Sequence, residues 1–257
     1  MIRFLLLTVA ALIPVAACAE LQSGPIDYKS QDTVLEGYVA FNKGVQGKRP
    51  GIVLVPDWMG VAEHYNKIAD KLADLGYVAY VADIYGKGVR PKNSEEAAAL
   101  ATKYKSDRGL MRQRVLAALD ELKKNPNVDE KRIAATGYCF GGTAVLELAR
   151  SGAPVLGVVT FHGALDTPKP DDAKNIKGKV LVLHGADDPY VPPEQVAAFQ
   201  EEMRKGGVDW QMVFYADAVH SFTKPAAGTD KSKGNAYNEK ADKRSWEGMK
   251  SFFKEIF

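Results

Sequence analysis

Residues 132–142, R-I-A-A-T-G-Y-C-F-G-G, set a strand-forming apolar run against a turn built from three glycines and one cysteine. G-T-A-V-L-E-L-A-R (142–150) then continues as a helical stretch. The junction reads as strand, sharp turn and helix, with Cys139 at the apex. A cysteine buried only for packing needs no glycine on either side. A nucleophile held on a tight turn does, because a side chain at Gly137 or Gly141 would crowd the neighbouring elements. The helix beginning just beyond it points N–H groups and positive potential at the thiol, an arrangement that favours a thiolate and a nearby oxyanion.

The same alternation of strand and helix extends outward in both directions. T-V-L-E-G-Y-V-A-F (33–41) alternates apolar and polar residues as a half-buried strand does. G-I-V-L-V-P (51–56), Y-V-A-Y-V-A-D (77–83), V-L-G-V-V-T-F (155–161), K-V-L-V-L-H (179–184) and W-Q-M-V-F-Y (210–215) read as further strands, most of them buried. Between them, 62–76, 94–104, 108–124, 193–204 and 244–257 carry helical patterns, with Ile68, Leu72 and Leu75 on one stripe and Gly76 as a stop. This order predicts an α/β fold, a mostly parallel central sheet with helices on both faces, as a single domain over residues 20–257. Residues 216–243 have no period and are long for a connection, which marks a functional loop.

Composition removes several classes of function. The 257 residues hold 34 Lys and Arg against 32 Asp and Glu, a net charge of +2 that is too mild for a nucleic-acid surface. The lysines from Lys224 to Lys243 are interspersed with acids, as on a solvated loop. There is no H-E-x-x-H, G-Y-C-F-G-G lacks the G-x-G-x-x-G spacing, and G-K-G-V lacks the hydroxyl residue of a phosphate loop, so no metal or nucleotide cofactor is expected. Residues 1–19 begin with Arg3, continue through an apolar stretch and end in Ala17-Cys18-Ala19, the pattern of a signal peptide. The protein is therefore expected to be exported to the periplasm. Val15-Ala16-Ala17-Cys18 also fits a lipobox, and a membrane association is expected only if Cys18 is lipidated. Either cleavage leaves Cys139 without an intramolecular disulfide partner in an oxidising compartment.

In an open parallel sheet, ligands gather beyond the carboxyl ends of the strands. Besides Cys139, Asp187 and Asp188 follow one predicted strand and His220 follows another. His220 would take the thiol proton, and a carboxylate would hold its other ring nitrogen. Asp188, at the turn before Pro189, is the chosen carboxylate, with Asp187 as a turn residue. His64 falls at a helix start and His184 at a strand end, while His162 in T-F-H-G ends a strand on the same sheet edge and could line the pocket.

Taken together, V-P-D-W-M-G (55–60), A-D-I-Y-G-K-G (82–88), G-Y-C-F-G-G (137–142), H-G-A-D-D-P-Y-V-P (184–192) and V-H-S-F (219–222) resemble the dienelactone hydrolase family of the α/β-hydrolase superfamily. The order Cys, Asp, His is that of nucleophile, acid and base on such sheets. The resemblance implies hydrolysis of a small ester or lactone by Cys139, Asp188 and His220 through an acyl-cysteine, with the backbone N–H groups of Phe140 and Trp58 as oxyanion hole. It places Tyr138, Asp57, Lys87 and Lys224 among the substrate-binding residues. Asp57 stands where the family carries a glutamate that meets the resting thiol. Lys87 and Lys224 stand where the dienelactone enzymes use arginines to clamp a substrate carboxylate, and lysine keeps the charge but not the planar fork. A carboxylate-bearing ester or lactone is thus an expected substrate. The rival readings are a non-catalytic exported binding protein that retains the fold, and a redox-sensing thiol, which lacks a resolving cysteine.

Overall fold

The apolar runs assemble into one eight-stranded sheet whose strands lie side by side in the order 21–30, 33–42, 78–81, 49–55, 128–138, 157–161, 179–185 and 210–215. The computed structural model describes residues 20–257, so the expected signal segment and Cys18 lie outside the described residues. The strands are β1 (Leu21–Ser30), β2 (Thr33–Asn42), β3 (Arg49–Val55), β4 (Val78–Val81), β5 (Val128–Tyr138), β6 (Gly157–Phe161), β7 (Lys179–Gly185) and β8 (Trp210–Tyr215). From β3 and β4 to β8 all neighbours are parallel, whereas β1 and β2 pair antiparallel and join the sheet through β2 and β4.

The helices are α1 (Glu63–Asp74), α2 (Ser94–Ser106), α3 (Arg108–Lys123), α4 (Phe140–Arg150), α5 (Pro193–Gly206) and α6 (Glu239–Ile256). Strand parity decides which helix each strand residue meets. Ile52 and Leu54 of β3 pack with Ile68 and Leu72 of α1 and Met249 and Phe253 of α6. Val53 and Val55, one residue out of step, pack with Met111 and Val115 of α3, Val145 and Leu148 of α4 and Phe199 of α5. Both sheet faces are covered, and each fully buried side chain of this kind contributes about 1.5–3 kcal/mol relative to exposure.

A buried ionic cluster fastens α4 to its neighbours. Arg150, fully buried, donates to Glu202 Oε1 and Oε2 at 2.7 and 2.8 Å, to Glu147 Oε1 at 3.0 Å and to Leu165 O at 2.9 Å. Arg112 of α3 completes it with a bond of 2.8 Å to Glu147 Oε2. Every buried charge in this cluster has an opposite partner, the condition under which such groups are tolerated in a core.

One strand is absent from the sequence expectation, and the starts of β5 and α6 depart most from it. β1 was not foreseen: its residues are mostly exposed, and its two-residue turn uses Gln31 at φ 51° in place of the Asn or Gly that signals a hairpin. Tyr28 anchors it, its hydroxyl donating to Asp83 O and accepting from Asp83 N, both at 2.9 Å. β5 begins at Val128, ahead of the expected 132, because the charged run Asp129 to Arg132 is exposed strand. α6 begins at Glu239, ahead of the expected 244, capped by Asn238, whose side chain accepts from Ala241 N at 3.0 Å.

Candidate active site

The turn after β5 shows why its glycines are there. A Cβ at Gly137 would lie 2.1 Å from Gly141 O, and one at Gly141 would lie 2.0 Å from Val55 O, so neither position admits a side chain. Between them Cys139 takes φ 54° and ψ −115°, a region that a non-glycine residue occupies only where its surroundings impose it. Its N–H is fixed by Phe161 O at 3.0 Å. The thiol is free and partly exposed. Phe140 is the first residue of α4, so its N–H has no partner within the helix.

Two other strand ends bring their residues to this thiol. Asp188 follows β7, is buried, and accepts from Tyr190 N at 2.9 Å through Oδ1. Its Oδ2 lies 2.8 Å from His220 Nδ1, and His220 Nε2 lies 3.0 Å from Cys139 Sγ. Asp187 is exposed and touches the cluster only through its backbone, with its N–H on Ala218 O at 3.0 Å. Burial opposes a charge on His220, but the neighbouring Cys139 and Asp188 outweigh it and push the ring up to about 10.

The loop 216–238 that carries His220 is not loose. His220 N donates to Gly234 O at 3.2 Å and Ala236 N donates to His220 O at 3.1 Å. Short helical turns at Pro225–Ala227 and Lys231–Lys233 and the bridge between His220 and Asn235 give it internal structure. Asp217 and Ser221, on either side of His220, have φ of 63° and 60°, a second concentration of backbone strain at the site.

The loop after β3 supplies the opposite wall. Asp57 turns it, accepting from Met59 N at 2.9 Å through Oδ1 and from Gly60 N at 3.0 Å through its carbonyl. Trp58 O accepts from Tyr85 OH at 2.9 Å. Among the described residues no acceptor takes the Trp58 N–H. Tyr85 is held in turn by Asp83, whose Oδ1 accepts from Tyr85 N at 3.0 Å and whose Oδ2 accepts from Glu36 N at 3.0 Å.

Four expected contacts fall elsewhere than the sequence placed them. Tyr138 is not at the thiol: it is 2% exposed and stacks on Phe161 with centroids 4.4 Å apart, on the α1 and α6 side of the sheet. Lys87 points its amine to Asp27 and, at 3.8 Å, to Glu36, on the β1–β2 hairpin. Lys224 and Asp57, expected to act separately on substrate and thiol, are partners of each other, with Nζ 2.5 Å from Oδ2. His162 does reach the site, where its ring meets that of His220 edge to face at 5.1 Å. Its Nε2 shares a hydrogen bond of 2.8 Å with Thr223 Oγ1. Burial, then the nearby charge of His220, hold it neutral, with its pKa well below the ordinary histidine value. His64 and His184 are likewise shifted down, chiefly by burial.

Sequence reasoning did not single out Tyr65, Tyr85, Tyr190 or Thr223. Tyr65 and Tyr85 are buried, which raises their pKa values, and both also feel the charges of Asp57 and Cys139. Tyr190 stands edge-on to His220 at 5.2 Å and is 54% exposed, so it forms a rim. Among the described residues, no group of three His, Cys, Asp or Glu side chains is placed to hold a metal ion. The arrangement brings together a thiol, an imidazole, a buried carboxylate and two backbone N–H groups, groups of the kind that acyl transfer uses.

Comparison with known proteins places this chain in a family. The model of the dienelactone hydrolase family matches residues 35–257. The solved structure called m3DLH is 42% identical, with a TM-score of 0.89 over 93% of this chain and 99% of that one. A dienelactone hydrolase-like promiscuous phosphotriesterase from metagenomic libraries is 40% identical, with a TM-score of 0.87 over 93% and 99%. A Salmonella typhimurium protein provisionally named a carboxymethylenebutenolidase is 27% identical over 248 residues, covering 91% of this chain and 87% of its own. The chain belongs to the dienelactone hydrolase family, ester and lactone hydrolases of the α/β-hydrolase fold.

Proposed function

We propose that this protein hydrolyses a small ester or lactone through an acyl-cysteine intermediate, with Cys139 as nucleophile, His220 as base and acid, and Asp188 orienting the imidazole. The observation that carries the reading is the unbroken run from Asp188 Oδ2 to His220 Nδ1 at 2.8 Å and from His220 Nε2 to Cys139 Sγ at 3.0 Å. His220 holds the proton given up by the thiol. The thiolate attacks the carbonyl carbon, a C–S bond forms, and the carbonyl π pair moves onto oxygen. The N–H groups of Phe140 and Trp58 receive that oxyanion. When the ester C–O bond breaks, the leaving oxygen takes the Nε2 proton. A water then gives a proton to Nε2 and attacks the thioester carbon. The C–S bond breaks, the acid departs and loses its proton to solvent, and the thiolate–imidazolium pair is restored.

Mixing the purified protein with a chromogenic aryl ester is expected to give a burst of phenol, with the acyl mass found on the peptide containing Cys139. Cys139→Ala and His220→Ala are each expected to abolish it. Undiminished turnover in Cys139→Ala would sink the thiol mechanism. No turnover on a broad panel of esters and lactones, together with an unreactive thiol, would favour a binding protein. Export with removal of residues 1–19 is part of the proposal, and the mass of the mature N-terminus separates a start at Glu20 from a lipidated Cys18.

A further inference from the structure

The two edges of the sheet are built differently. β1, on one edge, carries Pro25, Asp27 and Lys29, residue types that keep an edge strand from pairing with another chain. β8, on the other, is W-Q-M-V-F-Y, with no charge, no proline and no glycine. Val180 N donates to Asp209 O at 2.9 Å and Ala186 N donates to Tyr215 O at 3.0 Å. The odd-numbered residues of this stretch therefore turn their backbone groups toward β7. Successive strand residues alternate, so Trp210, Met212 and Phe214 turn both N–H and C=O away from the sheet. Among the described residues, no hydrogen bond from another element reaches these outward groups. Nor is the strand covered: Phe214 is 48% exposed, Gln211 is exposed, and Trp210, Met212 and Val213 are half-buried.

We infer that β8 is a self-association edge, at which a second copy of this chain pairs antiparallel about a two-fold axis through Met212. In that register Met212 exchanges both of its backbone bonds with its own counterpart, and Trp210 exchanges both with Phe214 of the other copy. Every outward N–H and C=O of these residues then has a partner, which a register shifted by one residue does not provide. Side chains opposite one another share a face. Trp210 therefore meets Phe214 and Met212 meets itself, forming apolar cross-strand pairs on the side where Trp210 and Met212 already pack. At each end the arrangement brings exposed Asp217, just beyond one strand, toward Arg204 and Lys205, which close α5 just ahead of the other. Opposite charges thus meet at the flanks and none meets in the middle. The pair is closed, whereas β8 joined to β1 would leave fresh edges and propagate.

Sedimentation of the purified protein across the micromolar range should show the mass rising from that of one chain to that of two. In hydrogen exchange, the amides of Trp210, Met212 and Phe214 should slow as concentration rises, while those of Gln211 and Val213, already bonded to β7, hold steady. Met212→Pro removes an N–H that the single chain does not use, and is expected to raise the dissociation constant about tenfold or more. Met212→Lys and Met212→Glu each set like charges against one another across the axis. Each is expected to run as a single chain alone and to pair when the two are mixed, a rescue that an unfolded variant would not give. A single-chain mass at every concentration would overturn the inference. So would a dimer that tolerates Met212→Pro and either charge, or one whose amides at Trp210, Met212 and Phe214 exchange as fast as in the dilute protein, because the contact would then lie on another face. None of these readouts requires turnover, so they stand or fall apart from the proposed hydrolysis.

Discussion

His220 and His162 lie with their rings 5.1 Å apart, both largely withdrawn from water, and settle in opposite protonation states. Burial pushes each toward neutrality. At His220 that push is overcome by Cys139 on one nitrogen and Asp188 on the other. At His162 no charged partner opposes it, and the charge of His220 adds to it: Nε2 has only the Thr223 hydroxyl, and Nδ1 is buried without a partner. The comparison teaches that the partners at the two ring nitrogens, not depth in the protein, decide whether an imidazole can carry a proton here.

The widest separation between the two should appear in turnover. His220→Ala is expected to lower kcat/KM on an aryl ester by about 10³-fold or more, whereas His162→Gln should stay within about tenfold of wild type. Equal losses would break the assignment of His220 as the base. Asp188→Asn is expected to fall near the His220 variant, by about 10³-fold, because the ring loses the carboxylate that fixes its tautomer. A loss of less than tenfold would assign Asp188 to scaffolding.

Titration followed by NMR sharpens the contrast further. The His220 ring is expected to hold its proton up to about 10 in wild type. In Cys139→Ala it should titrate roughly 1–3 units lower, as one of its two charged neighbours is removed. His162 should remain neutral well below the ordinary histidine range in both proteins. A His220 value indifferent to Cys139 would mean that the two do not share a proton.

How far the sequence led depends on what each feature asks of it. That Cys139, Asp188 and His220 meet at one sheet edge is legible because each follows a strand closely, and strand ends can be read from apolar runs. The covered sheet was legible for the same reason. Tyr138 was misplaced although its parity was available: it shares a face with Ala134, and that face meets α1 and α6. The pairing of Asp57 with Lys224 was not legible, because it joins loops 167 positions apart and turns on side-chain direction. β1 escaped because an exposed edge strand buries too little to leave an apolar pattern. The bond between His162 and Thr223 depends on how the loop after β8 folds back, which no local period encodes.

The smallest effect tests the neutral histidine through stability. His162 is neutral in the folded protein to well below 6.5, its ordinary value, while in the unfolded chain it takes up a proton as pH falls through 6.5. The unfolded state therefore binds more protons below that pH, and acid destabilises the native state through this residue. Above about pH 7.5 the residue is neutral in both states and contributes no slope. Each pH unit below 6.5 should cost at most about 1.4 kcal/mol until the folded value is reached. Denaturant unfolding of wild type and His162→Gln at pH 8 and pH 5 reads this directly. The variant should lose less stability than wild type between the two conditions, whatever its stability at pH 8. Parallel losses would mean that His162 takes up its proton in the folded protein too. The unpartnered Nδ1 would then have an acceptor, and the contrast with His220 would reduce to the carboxylate of Asp188 and the thiol of Cys139 acting on a ring that was never alone in tolerating charge.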